Sequence, residues 1–223
     1  ETESGSAGGV RNCDAEMNQF LEHNNWFDLE FRDDRCGSLR LDLGLRYPTF
    51  RIALNLLIQS QNPYRMLRIV ETGTVRQADD WSEGRSTYVF GKFLAMESPA
   101  SKLITIDINP KNMDVSKLVT AEFSKHIEYI VGDSVTVLNG LSEHIDLLYL
   151  DSFDVPEGDA TECQAHNLNE FKAAEPNLSG HAVVLLDDNN FDNGGKPKLT
   201  KQYLASRGWT CLMNSQQSLW IKR

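Results

Sequence analysis

Apolar and polar positions follow two rhythms along the chain. Short apolar runs of strand length recur at 66–72, 103–107, 127–131, 145–150 and 182–186. Between them, apolar residues return every three or four positions, the period of a helix with one buried face. This spacing predicts helices over about 85–97, 110–125, 160–175 and 197–206, with a short one after Gly132-Asp133-Ser134 that ends near Gly140. Ser98-Pro99 and Arg207-Gly208 supply stops. Runs at 209–213 and 218–221 predict an antiparallel hairpin. Alternating strands and helices predict a parallel sheet covered on both faces, which the hairpin makes mixed.

Upstream, Phe50, Ala53, Leu54, Leu57 and Ile58 predict a helix over 49–61, capped by Thr49 and stopped by Asn62-Pro63. Met17, Phe20 and Leu21 share one face of a helix predicted over 13–24, and Trp26, Phe27, Leu29 and Phe31 follow closely. Residues 10–48 therefore read as a cap or lid and residues 49–223 as one α/β domain. The small, polar residues 1–9 read as a disordered lead.

Composition narrows the function. The net charge is −10 and Lys and Arg form no stripe, which argues against a nucleic-acid partner. No apolar run is long enough to span a membrane. Cys13, Cys36, Cys163 and Cys211 are scattered, without a C-x-x-C pair. They predict free thiols in a reducing, cytoplasmic setting rather than a zinc site.

The chemistry gathers at strand ends. The run 66–72 closes on Glu71, Thr72 and Gly73, and Gly84, Arg85, Ser86 and Thr87 open the next helix. Strand, glycine loop and helix N-terminus together form a cradle for a cofactor. The polar loop 75–83 is too long for a plain dinucleotide fingerprint. Asp107 is placed to accept hydrogen bonds from a ribose diol, and Asp133 with Ser134 to meet an adenine edge. Asp151, Asp187, Asp188 and Asn189 close neighbouring strands. Carboxylates brought together this way repel unless a cation lies among them, and oxygen ligands suit Mg²⁺ or another hard divalent ion.

The order of these motifs resembles the class I S-adenosylmethionine-dependent methyltransferases, in particular the metal-assisted catechol, caffeoyl-CoA and macrocin type. Val70-Glu71-Thr72-Gly73 resembles the first motif, and Leu103 through Pro110 resembles the second. Val131-Gly132-Asp133-Ser134 is similar to the adenine turn. Leu150-Asp151 and Leu185-Leu186-Asp187-Asp188-Asn189 are similar to the metal-bearing strand ends. The resemblance covers about residues 50–222. It implies a Rossmann-like seven-stranded sheet with its last strand antiparallel. It also implies S-adenosylmethionine and Mg²⁺ as cofactors. Glu71, Gly73, Thr74, Ser86 and Thr87 would lie along the methionine part, Asp107 and Ile108 at the ribose, and Asp133 and Ser134 at the adenine. Asp151 would border both the cofactor and a metal shared with Asp187 and Asp188 or Asn189.

Two departures shift the substrate. The loop with Asp79-Asp80-Trp81 is longer than in catechol enzymes, and Asp154 stands where those enzymes carry a lysine. Both favour the macrocin-type precedent, a sugar or glycan hydroxyl, over a catechol. Asp151, His166 and Asp154 are the candidate catalytic residues. The competing readings are a metal-dependent glycosyltransferase and a module that keeps the fold without the chemistry. The expected partner is a small-molecule or glycan hydroxyl acceptor, and self-association stays open.

Overall fold

In the computed structural model the described residues are 25–31, 43–60, 66–80 and 85–222. The lead 1–9, the helix predicted over 13–24, Cys13, Cys36, Asn62-Pro63, Trp81 and Gly84 lie outside them. So does most of the cap predicted over 10–48. The elements are α1 (Asn25–Phe31), α2 (Tyr47–Gln59), β1 (Arg68–Thr72), α3 (Ser86–Glu97), β2 (Lys102–Asp107), α4 (Pro110–Val119) and β3 (Ile127–Val131). They continue with α5 (Ser134–Gly140), β4 (Ile145–Leu150), α6 (Thr161–Ala174), β5 (Leu178–Leu186), α7 (Lys198–Ser206), β6 (Trp209–Asn214) and β7 (Ser218–Lys222).

The strands form one seven-stranded sheet in the order β3-β2-β1-β4-β5-β7-β6. β1 to β5 are parallel, and β7 runs antiparallel to both neighbours. The mixed sheet expected from the sequence is therefore the sheet observed. Strand residues alternate between its faces. Ile69, Leu147, Tyr149, Val183 and Leu185 pack with Phe27, Phe50 and Phe90 of α1, α2 and α3. Val70, Leu148, Leu150, Val184 and Leu186 pack on the other face with Leu138, Phe171 and Leu204 of α5, α6 and α7.

Three local expectations change. Helix α2 begins at Tyr47, so Thr49 lies inside it, and its hydroxyl donates back to the Arg46 carbonyl at 2.9 Å. Pro48 takes an early position where a missing N–H costs nothing. The helix expected to run to Lys125 instead ends at Val119 and passes into a 3₁₀ segment, Ala121–His126. Thr120 causes the break, because its hydroxyl bonds the Ser116 carbonyl at 2.6 Å and Tyr129 Oη at 2.7 Å. Strand β5 starts four residues before the apolar run, at Leu178, where its pairing with β4 begins at Ile145.

The N-terminal helix is tied down by polar contacts at its edge. Asp28 accepts from Tyr47 Oη at 2.6 Å and from Arg51 Nε at 2.7 Å, and Glu30 accepts from Tyr88 Oη at 2.9 Å.

Candidate active site

The chain order reverses between β1 and β4, the point at which open α/β sheets leave a crevice at their carboxyl ends. A cleft of about 740 Å³ opens there. Following the strand order, its lining passes from Asp133 and Ser134, past Asp107, Ile108 and Gly73, to Asp151 and Asp188.

The first part is rigid and polar. Asp107 accepts from the backbone N–H of Asn109 at 2.7 Å and of Thr74 at 3.2 Å, and from Asn112 Nδ2 at 3.3 Å. These bonds fix the carboxylate at the lip of β2 beside the exposed side chain of Ile108. Gly73 has φ +82, and a Cβ there would lie 2.6 Å from the Asp151 carbonyl oxygen. Glycine is thus demanded both by the turn and by the crossing of the β1 loop over the end of β4. Arg85 holds the following loop by donating to the carbonyls of Asp80, at 3.2 Å, and of Ala78. Asp133 caps α5, accepting from Thr136 N at 2.8 Å and Thr136 Oγ1 at 2.6 Å, and these bonds hold its pKa below the ordinary value.

The second part is a buried charge cluster. Asp187 is fully buried and accepts from Arg46 Nε at 2.7 Å, Gln217 Nε2 at 3.3 Å and the Tyr149 hydroxyl. Its other oxygen accepts from the Asp188 N–H at 2.7 Å. Burial works to raise the Asp187 pKa, yet Arg46, Lys196 and Tyr149 hold it below the usual carboxylate range. Lys196, with 1% of its side chain exposed, places Nζ 2.7 Å from Asp151 Oδ1 and 3.0 Å from Asp188 Oδ2. Burial opposes its charge, but Asp151, Asp188 and Asp187 raise its pKa above that of a free lysine. At Asp151, burial and the neighbouring carboxylates outweigh Lys196 and push the pKa up. About a fifth of the Asp151 side chain remains open to the cleft (22%).

A divalent ion does not fit this arrangement. The place between Asp151 and Asp188 is taken by an ammonium, and Asp187 is committed to Arg46 and Tyr149. Asn189 turns away, its amide donating to Asn214 Oδ1 at 2.9 Å and to the Ser215 carbonyl at 2.6 Å. Among the described residues no group of three or more His, Cys, Asp or Glu side chains is disposed to hold a metal. Of the residues expected to hold a metal, Asp151, Asp187 and Asp188 are paired with Arg46 or Lys196, and Asn189 bonds the β6–β7 turn.

Residues 81–189 match the sequence profile of the family Methyltransf_24, described as a methyltransferase domain. That stretch, just under half of the chain, is similar to a methyltransferase domain. The fold of the chain is similar to several solved methyltransferases. The O-methyltransferase TomG from Streptomyces achromogenes, solved with S-adenosylmethionine, is 17% identical, with TM-score 0.55 over 92% of this chain and 88% of that one. The methyltransferase PaMTH1 of Podospora anserina, solved with S-adenosylhomocysteine, is 15% identical, with TM-score 0.55 over 98% and 99%. CalS11, a TDP-rhamnose 3'-O-methyltransferase of calicheamicin biosynthesis, is 14% identical, with TM-score 0.56 over 96% of each chain. No curated protein matches in sequence.

Of the residues expected around a cofactor, Gly73, Thr74, Ser86, Asp107, Ile108, Asp133, Ser134 and Asp151 all line this cleft. Glu71 and Thr87 sit behind its wall instead. The Thr87 hydroxyl bonds Glu71 and also Thr74 Oγ1 at 2.7 Å, so the pair supports the cradle from below. Burial pushes the Glu71 carboxyl up to about 7. His166 lines the cleft near Ser134, with Nε2 3.1 Å from Ser134 Oγ and 3.4 Å from Glu170 Oε1. Its hydrogen bond to Glu170 raises its pKa. Asp154 is exposed at the cleft mouth and bonds Arg76 at 2.9 and 3.0 Å.

Sequence reasoning missed Arg46 and Lys196. Arg46 lies in the stretch where no periodic pattern stood out, and its partner is 141 positions away. Lys196 had one local signal, the pair Gly194-Gly195 just before it. Both glycines have positive φ, and a Cβ on Gly195 would lie 1.9 Å from the Asp188 carbonyl oxygen. That tight return carries Lys196 back under the strand ends.

Proposed function

We propose that this chain is an S-adenosylmethionine-dependent O-methyltransferase acting on a hydroxyl of a small molecule, a sugar or glycan residue in preference to a catechol. One observation carries the reading: a single cleft joins a cofactor cradle at Gly73 and Asp107 to a charge-compensated carboxylate at Asp151. Gly73 allows close approach of a ligand to the backbone, and Asp107 presents a fixed carboxylate for a ribose diol. Asp133 and Ser134 border the end suited to a base. When bound, S-adenosylmethionine supplies a sulfonium-activated methyl, which passes to the acceptor oxygen as the C–S bond breaks and S-adenosylhomocysteine is left.

The chain's own residues position the acceptor and take its proton. Asp151 is the base in this reading. Tyr149 has one hydroxyl proton and gives it to Asp187, so Asp151 Oδ2, 3.1 Å from Tyr149 Oη, keeps a lone pair for the acceptor. A carboxylate with a raised pKa is a stronger base than a free one, which favours proton removal near neutral pH. His166 is engaged by Ser134 and Glu170 and serves the wall of the cleft. Asp154 stays at the mouth, paired with Arg76. Support for a sugar acceptor comes from the similarity to CalS11 and from Asp154 standing where catechol enzymes carry lysine.

The test is transfer of labelled methyl from S-adenosylmethionine to a panel of nucleotide-linked and free deoxysugars. Asp151→Asn is expected to lower turnover by about 10²–10⁴-fold while S-adenosylhomocysteine still binds. His166→Ala is expected to cost less. Full turnover in Asp151→Asn would remove Asp151 as the base.

A further inference from the structure

We propose that Lys196 is the resident cation of the acidic end of the cleft, holding Asp151 and Asp188 where a divalent ion would otherwise bridge them, so that methyl transfer by this chain is metal-independent. Its consequence for catalysis rests on the methyltransferase reading above; its geometry does not.

The ammonium donates to Asp151 Oδ1 at 2.7 Å and to the Phe153 carbonyl at 3.4 Å, and it is ion-paired with Asp188 Oδ2 at 3.0 Å. With 1% of the side chain exposed, it is closed off from bulk solvent. A buried ammonium of this kind persists only when its charge is matched, and here two carboxylates match it. Lys196 and Arg46 together supply two positive charges, the charge of a divalent ion, from covalently attached groups.

The backbone enforces this. The Gly194-Gly195 turn is wedged against Asp188, with the Asp188 carbonyl oxygen 1.9 Å from where a Gly195 Cβ would stand. The turn thus sets the Lys196 backbone close beside that of Asp188. A Mg²⁺ ion would need oxygens at roughly 2.0–2.1 Å on all sides. The carboxylate oxygens here stand 2.7 and 3.0 Å from the Lys196 nitrogen instead. Lys196 is a positioning residue. It does not face the acceptor, and it acts by keeping Asp151 oriented and ionised at the cleft wall.

The experiment is titration of the full chain with Mn²⁺, followed by electron paramagnetic resonance. It compares wild type, Lys196→Met and the double variant Lys196→Met/Asp151→Asn. Wild type is expected to take up no stoichiometric Mn²⁺. Lys196→Met, which frees two carboxylates without filling the space with charge, is expected to gain one site bound about 10–100-fold more tightly than any in wild type. Asp151→Asn in the double variant is expected to abolish that gain. A lysine with a merely structural role would create no metal site on removal. Circular dichroism and S-adenosylhomocysteine titration report whether the variant is folded, and the wild-type arm decides without it. One Mn²⁺ bound stoichiometrically by wild type would overturn the proposal, as would a folded Lys196→Met that gains no site. Failure of wild type to bind S-adenosylhomocysteine would count against the methyltransferase reading alone and leave the Mn²⁺ result standing.

Discussion

Glu71 shows how a single buried residue sets a pH dependence. Its carboxyl is fully buried under the cradle, bonded by Thr87, and burial pushes it up from 4.5 to about 7. The folded protein thus holds this proton more tightly than the unfolded chain does. The contribution is present in full below pH 4.5, is lost as pH rises toward about 7, and stays lost above that. Glu71→Gln removes the titration. Relative to wild type, the variant is expected to gain up to roughly 3 kcal/mol between these limits and nothing further above them. Urea unfolding at a series of pH values checks this, and a difference independent of pH would contradict it. Residues of this class were partly legible in the sequence. Glu71, Asp107, Asp151 and Asp187 each close an apolar run, so their place at the sheet end follows from local pattern alone. Whether an acid faces the cleft or the core does not. Glu71 lies on the face of Ile69 and Tyr149, and only the packing of α3 against that face buries it. Arg46 and Lys196 were illegible as partners because what selects them is contact across the fold, not spacing along the chain.

At the scale of elements, turns and crossings govern the site. The β1 turn passes so close to the end of β4 that Gly73 has no room for a side chain, and its φ of +82 is one that L-residues rarely adopt. Gly73→Ala is expected to destabilise the domain by roughly 1–3 kcal/mol from backbone strain and the clash with Asp151. It should also weaken cofactor binding, because Asp107 is held partly by the neighbouring Thr74 N–H. Urea unfolding with S-adenosylhomocysteine titration measures both, and wild-type values for both would show that the crossing is unimportant. The strands and helices themselves were readable, since a period of two or of 3.6 is written in the apolar positions. Their ends were less so. The helix predicted to Lys125 stops early because Thr120 bonds Ser116 and Tyr129, and the partner on β3 is invisible to a local window. Thr49 was expected as a cap because it follows Pro48, but proline is at home in the first turn, so the helix starts before it.

At the scale of the whole molecule, two apolar layers hold a mixed sheet rigid, and the sheet offers one cleft at its switch point. The strand order and the lone reversed strand place five acidic strand ends in a row: Asp107 and Asp133 line the cleft, Glu71 is buried beneath it against Thr87, and Asp151 and Asp187 join the cluster around Arg46 and Lys196. The net charge of −10 is thus compensated locally where it matters, by side chains of the fold itself. A ligand that binds only the folded state raises stability by about 2.7 kcal/mol at a hundred times its dissociation constant. S-adenosylhomocysteine at that excess is expected to raise the unfolding temperature by roughly 5–10 °C. The central claim is that Asp107 and the Gly73 cradle form a cofactor site for S-adenosylmethionine. The most direct measurement is isothermal titration of S-adenosylhomocysteine into wild type and Asp107→Ala, each with EDTA and with Mg²⁺. The account predicts micromolar binding to wild type, unchanged by either additive, and a loss of about tenfold or more in Asp107→Ala, the scale of a charged hydrogen bond. Absence of binding to wild type, or equal binding to Asp107→Ala, would contradict it.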